Sequence, residues 1–371
     1  MLDYTASDKD SLEVHLPRKI SPAHSLNEIL AFARRENASD VHLSPQNPIV
    51  FRKAGRLTPV TSDALSAPHI HNILIKALPP KIMEAFEKSG DVEYVHAISG
   101  YGYFRLTLMK QRKGKELTTR LIPLEIPRFA ATGMPTSCAS LIKWSHGIIL
   151  ITGPAGCGKT TTLATLVEMI NQRRSDHIVI IEDPIETIYE PNLCQITQRQ
   201  IGTHTLSQVR ALRAALREDP DVIVVGELRE LSTVELAITA AETGHLVLAT
   251  MNTVNAAQTI SRLIDFYPTE NQQMIRNLIS ESLRGIICQQ LVPKKDGSGM
   301  AAAFEVLMNT PSVANYIRKG AINQIENTIA MGKSFGMVRM QDSLQSLVDK
   351  DMISMEEVRQ RHQQLNEEKN D

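Results

Sequence analysis

No two of the four cysteines in this 371-residue chain stand close enough to read as a metal or disulfide motif. Cys138, Cys157, Cys194 and Cys288 are scattered with no C-x-x-C among them, which argues against a structural zinc and suits a reducing compartment. Surplus charge is missing too: 40 Lys and Arg stand against 41 Asp and Glu, a formal net charge of -1. Without a broad basic field, nucleic acid is not an expected partner. No apolar run approaches the ~20 residues that span a bilayer. The start, Met1-Leu2-Asp3-Tyr4-Thr5, is polar and acidic where a signal peptide is basic and then apolar. Direct membrane insertion is therefore not expected, and any role at a membrane runs through a partner. At 42% hydrophobic residues, the chain is long enough for two globular domains with sizeable cores.

One stretch organises the rest. Gly153-Pro154-Ala155-Gly156-Cys157-Gly158-Lys159-Thr160 is a complete G-x-x-x-x-G-K-[ST] phosphate-binding loop, with Thr161 next in line. It lies between the apolar run Gly147–Ile151 and a helix-compatible run, Thr161–Gln172, which is the strand, loop and helix setting the motif requires. Three glycines without Cβ atoms let the loop turn successive backbone N–H groups toward an anion, and the following helix adds the positive end of its dipole. ATP with Mg²⁺ is the expected ligand: Lys159 reaching the β and γ phosphates, the Thr160 hydroxyl holding the metal. Cys157 is either a reactive thiol favoured by the helix terminus or a small filler residue.

In chain order, residues 1–20 read as a polar tail. From Ser25 the apolar spacing of Leu26, Ile29, Leu30 and Ala33 predicts a helix, with Ser25 and Glu28 as a capping box. Short strands at Val41–Leu43 and Ile49–Phe51 and a helical stretch over 68–88 follow. Alternating runs at 92–95, 103–108 and 117–122 then predict antiparallel strands. Residues 21–123 thus form a small α+β domain, and the proline-containing stretch 124–137 is a linker. Residues 138–371 alternate apolar strands (147–153, 177–181, 221–225, 245–250) with helices (161–172, 207–217, 232–243, 256–266). Continuous apolar strands with helical crossovers imply a buried parallel sheet with the loop at its carboxyl edge. After Phe304–Leu307 the chain reads as helical, with an increasingly charged end from 355.

The other strands end in polar residues that supply the remaining chemistry. Glu182-Asp183-Pro184-Ile185-Glu186, Gly226-Glu227 and Thr250-Met251-Asn252-Thr253 all follow apolar runs. Hydrolysis needs a carboxylate to polarise water, acidic groups at or behind the metal, and a polar contact to the γ-phosphate. Glu227 is assigned the first task. Glu186 is assigned water ordering, and Glu182 and Asp183 are assigned to the metal, although any single acid could instead be a cap or a solvated charge. Arg105 and Arg120 lie on strands remote from the loop. Either they offset charge developing on the γ-phosphate, or they sit in ordinary surface ion pairs.

Glu182–Glu186, Ala215–Ile223, Gly226-Glu227-Leu228-Arg229 and Ala240-Ala241-Glu242-Thr243-Gly244-His245 resemble the type II/IV secretion ATPases, and most closely their type IV pilus retraction (PilT-like) branch. Ala38–Leu43 and Phe104-Arg105 resemble the N-terminal part of the same family, so the resemblance covers nearly the whole chain. It implies a PAS-like N-terminal domain followed by a RecA-like domain with C-terminal helices, assembled as a hexameric homo-oligomer. It implies a cytoplasmic ATPase, peripheral to the inner membrane, that drives pilus retraction on a platform protein, in some systems beside a sister ATPase. The alternatives are a weakly hydrolysing accessory subunit and the ATPase of a related secretion or conjugation system. In that family an acidic box corresponds to Glu182–Glu186, the Walker B glutamate to Glu227, and a histidine box beginning near His245 contributes to the nucleotide site. Arg105 and Arg120 match the arginines that reach the nucleotide. Two positions depart: Asn252 stands where the family has a second histidine, and Ala314 where the retraction branch has an arginine. Asn252 can still donate a hydrogen bond to a phosphate oxygen of the nucleotide but cannot carry charge or exchange protons.

Overall fold

The computed structural model describes residues 17–53 and 55–359. Of the polar tail expected over residues 1–20, residues 1–16 lie outside them, as does the charged end from 360. Two compact units divide the chain after Glu125.

The first unit begins with α1 (Leu26–Arg35), whose Ser25 and Glu28 form the expected capping box, and continues through β1 (Asp40–Leu43), β2 (Val50–Lys53) and β3 (Arg56–Pro59). Helices α2 (Ala67–Ala77) and α3 (Pro80–Ser89) follow, then β4 (Asp91–Ile98), β5 (Gly102–Gln111) and β6 (Gly114–Leu121). The single helix expected over 68–88 is therefore two. Leu78 is extended because it precedes Pro79, and Pro80 opens α3 where a missing N–H costs nothing. The six strands form one antiparallel sheet in the order β3-β2-β1-β6-β5-β4. Its core gathers Phe51, Phe86 and Phe104 with the apolar faces of the three helices.

The second unit is built on β7 (Gly147–Thr152), β8 (His177–Glu182), β9 (Gln195–Gln200), β10 (Val222–Val225), β11 (Leu246–Met251), β12 (Leu283–Pro293) and β13 (Met300–Met308). The order is β13-β12-β7-β11-β10-β8-β9, parallel throughout except for the β12–β13 pair. Helix α4 (Cys138–Leu141) precedes β7, and α5 (Lys159–Asn171), α6 (Gln208–Ala215), α7 (Leu231–Glu242), α8 (Ala256–Asp265) and α9 (Gln272–Ser282) lie in the connections between strands. After β13 come α10 (Pro311–Lys319), α11 (Ile325–Met331) and α12 (Met340–Asp349). Strand alternation splits the core in two. Ile148, Leu150, Ile223 and Val247 pack toward α6 to α10, while Ile149, Ile151, Val224 and Leu248 pack toward α4 and α5. Burial on both faces is what makes these strands read as unbroken apolar runs. No helix among the described residues is long and apolar enough to cross a membrane.

Because Leu150 is fully buried in the strand that carries the loop, Leu150→Ala should cost about 2–5 kcal/mol in urea unfolding. A loss well under 1 kcal/mol would mean that β7 is not a central support.

Candidate nucleotide site

Strand register decides which side chains meet. Val225 of β10 stands opposite Ala249 of β11, which stands opposite Leu150 of β7, so Glu227, Asn252 and the loop leave the sheet at one edge. The loop holds Gly153, Gly156 and Gly158 at positive φ, and Gly158 is the left-handed N-cap of α5 with no side-chain cap. The first-turn N–H groups of α5 are thus left to an anion rather than to a capping oxygen. Lys159 Nζ donates to the loop carbonyls of Gly153 (2.7 Å) and Pro154 (2.9 Å), which keeps the ammonium on the loop's own rim. Pro154, Ala155 and Gly156 are exposed, as is Thr161. Cys157 is 4% exposed and burial pushes its thiol up, so it is a filler beneath the loop and not a poised thiolate.

The acids of the β8 end are layered. Thr160 Oγ1 donates to Glu186 Oε2 at 2.6 Å, joining the motif's hydroxyl to a carboxylate across 26 residues of sequence. Behind it Glu182 is 6% exposed, with Oε2 buried and unpartnered. Burial, and then the nearby Glu186 charge, push Glu182 up to about 8. A magnesium ion fits this donor set: an alcohol, a carboxylate and a buried acid with an unused oxygen suit a cation that takes most of its other ligands from phosphates and water. Among the described residues no three His, Cys, Asp or Glu side chains cluster to hold a metal by themselves. Asp183 is exposed, and its charge acts on Arg229.

Glu227 is held at both oxygens. Asn252 Nδ2 donates to Oε1 at 2.5 Å, and Arg229 Nη2 donates to Oε2 at 2.6 Å. Two further bonds hold the segment. Leu228 N–H donates to Thr250 O (2.9 Å), and the Thr250 hydroxyl donates to Gly226 O. Asn252 therefore acts on the carboxylate expected to activate water, a link invisible in sequence because 25 residues separate them.

His245 does not join this group. It precedes β11, its carbonyl accepts from Gly147 N–H at the start of β7, and its Nδ1 lies 3.0 Å from Ala240 O. The six residues of β11 separate it from Asn252, about 20 Å at ~3.3 Å per residue. The expected nucleotide contact of His245 is corrected accordingly: it lies at the amino edge of the sheet, where it braces the turn after α7.

Arg105 and Arg120 face each other in the register of β5 and β6, within the first unit. Arg120 Nε donates to Asp40 at 3.0 Å, and Arg52 lies 3.7 Å from the same carboxylate, which is buried. Gln289 on β12 was not foreseen: it is 4% exposed and bonds both the loop and α5. Its only sequence trace is a glutamine pair interrupting an otherwise apolar run, which carries no motif.

Glu182 has a consequence for stability. An unfolded chain gives up this proton near pH 4.3, whereas the folded chain keeps it to about 8. Between those values the native state binds more protons, so its stability is full below the lower one and declines as pH rises toward the upper. Without Mg²⁺ or nucleotide, wild type should lose more stability between pH 5 and 8 than Glu182→Gln does. Parallel unfolding curves for the two would contradict the buried neutral acid.

The profile of the family described as "Type II/IV secretion system protein" matches residues 19–370. The chain is 38% identical over 336 residues to the type IV pilus retraction ATPase PilT of Pseudomonas aeruginosa, covering 91% of this chain and 97% of that protein. It is 40% identical over 324 residues to the uncharacterized protein YggR of Escherichia coli, covering 87% and 98%. Among solved structures, the pilus retraction motor PilT with bound ADP superposes with a TM-score of 0.84 at 37% identity, over 90% of this chain and 96% of that one. With the loop, the acids and the strand order already in place, these matches settle the ancestry: the chain belongs to the type II/IV secretion system protein family and is a PilT-like member of its ATPases.

Proposed function

We propose that the protein is a Mg²⁺-dependent ATP-hydrolysing motor that works as a homo-oligomeric ring, a hexamer, to drive type IV pilus retraction. Its place in this reading is the cytoplasmic side of the inner membrane, bound to a pilus platform protein. The observation that carries the reading is the convergence of Lys159, Thr160–Glu186 and Asn252–Glu227 at one sheet edge. Near full-length similarity to PilT supports the same assignment.

In this mechanism the loop amides and Lys159 take the β and γ phosphates. To do so Lys159 exchanges two carbonyl partners for anionic oxygens, a stronger pairing. Thr160 and Glu186 would hold Mg²⁺, which neutralises charge developing on the phosphates. Glu227 accepts the proton of the attacking water on one of the lone pairs its two partners leave open, and release of one partner would raise that oxygen's basicity. Arg229 is the partner to release: its side chain is 72% exposed, so water can solvate it readily. Arg105 and Arg120 supply positive charge that offsets what develops on the γ-phosphate, and conformational change on hydrolysis and release converts turnover into work.

A second reading, a slowly hydrolysing accessory subunit, draws on Asn252 standing where the family has histidine. Asn252→His tests it: a large gain in turnover over a nearly inactive wild type would favour the accessory role.

Lys159→Ala should abolish measurable ATP turnover. Glu227→Gln should retain nucleotide binding while turnover falls roughly 10²–10⁴-fold, the usual contribution of a positioned base. Phosphate release at wild-type rates by either variant would overturn the motor.

A further inference from the structure

On the reading that Gly153–Thr160 seats nucleotide phosphates, we infer that Gln289 is a positioning residue that sets the direction of the Gly158 N–H group. The residue lies on β12, one strand beyond β7, in register such that Cys288 stands opposite Thr152 and Gln289 follows beside Gly153. Its side-chain amide is used at both ends. Nε2 donates to Cys157 O at 2.7 Å, and Oε1 accepts from the Thr162 hydroxyl on α5. Its backbone carbonyl lies directly against Gly153, where an added Cβ would collide with it. A Cβ at Gly158 would lie 2.9 Å from the same Nε2. The approach of this residue's backbone therefore requires glycine at Gly153, in addition to its positive φ, and its side-chain amide packs closely on Gly158.

The consequence follows from peptide geometry. In a trans peptide the C=O of one residue and the N–H of the next point in opposite directions. Drawing Cys157 O back toward β12 turns Gly158 N–H to the other side, toward the face that meets an anion. A free rotation of this plane would present the carbonyl oxygen to a phosphate oxygen, with repulsion in place of a hydrogen bond. Thr162, one turn into α5, ties the same amide to the helix whose N-terminus forms the rest of the cradle. Gln289 thus sets the angle between loop and helix from outside both. Because both amide ends are committed in a buried setting, no shorter or apolar side chain can replace it without leaving Cys157 O unheld.

The test uses the full-length protein and two substitutions, Gln289→Met, close in volume but unable to make either bond, and Thr162→Val, which removes one. Fluorescent ADP titration and steady-state ATP hydrolysis are the readouts. Gln289→Met should raise KM for ATP and Kd for ADP at least tenfold while kcat stays within about threefold. Thr162→Val should shift both constants the same way by a smaller factor. The double variant should be no weaker than Gln289→Met alone, since both bonds run through one amide. Partial misfolding gives the opposite split, a lower kcat from a smaller active fraction with KM in place, and that result overturns the proposal. So does unchanged affinity in Gln289→Met, or, should that variant not be recovered folded, unchanged affinity in Thr162→Val. Wild-type protein that binds no ADP removes the nucleotide reading and this inference with it, whereas normal wild-type binding with unaltered variants removes only the inference.

Discussion

The parallel hydrogen bonding that holds β7 between β11 and β12 is the constraint on which the rest of the molecule hangs. A phosphate loop is a few residues of backbone with little packing of its own, so its shape is inherited from the strand before it and the helix after it. Here the inheritance is complete: Ile148 to Ile151 are buried on both faces, and the loop is anchored from the flank by Gln289. The same register delivers Glu227 and Asn252 from the next strands at matching height. A slip of one residue in β11 would carry Asn252 away from Glu227 and turn the strand's alternation inside out.

Much of this was legible from residue pattern. The apolar runs of β7, β8, β10 and β11 announce a buried parallel sheet because each strand is covered on both sides, and the G-x-x-x-x-G-K-T motif marks the proposed phosphate site. What escaped did so for identifiable reasons. β9, Gln-Ile-Thr-Gln-Arg-Gln, is an edge strand whose polar composition hides it. β12 begins at Leu283, directly where α9 ends, with no residue between them and its first glycine, Gly285, already inside the strand. The helix of 68–88 was read through a Pro-Pro pair that in fact divides it. His245 was assigned through a family box that spans a strand, and a strand of six residues puts the two ends of such a box on opposite edges of the sheet. Gln289 was unreadable because its role depends on the lateral neighbour of β7, a fact of topology with no local signature.

The carboxylates at the β8 and β10 ends work under different conditions. Glu182 is buried next to another acid, so its proton is retained, while Glu186 meets the Thr160 hydroxyl. Glu227 is tied on one side to an amide that cannot titrate and on the other to an exposed guanidinium that stays charged. Asn252 gives Glu227 a hydrogen bond that carries no exchangeable charge. The Glu227 carboxylate is thereby held on one side by a contact that does not vary with pH and on the other by one that lies open to solvent.

The account turns on a triphosphate lying against Lys159 with Glu227 beside the water that attacks it. A structure determined with a non-hydrolysable ATP analogue and Mg²⁺ tests this most directly. The prediction is Lys159 Nζ moved from the Gly153 and Pro154 carbonyls onto the β and γ phosphates, the metal at Thr160, and Glu227 hydrogen-bonded to a water in line with the γ-phosphorus. An analogue bound away from the loop, or a Glu227 that still turns both oxygens to Asn252 and Arg229 with no water in reach, would contradict it.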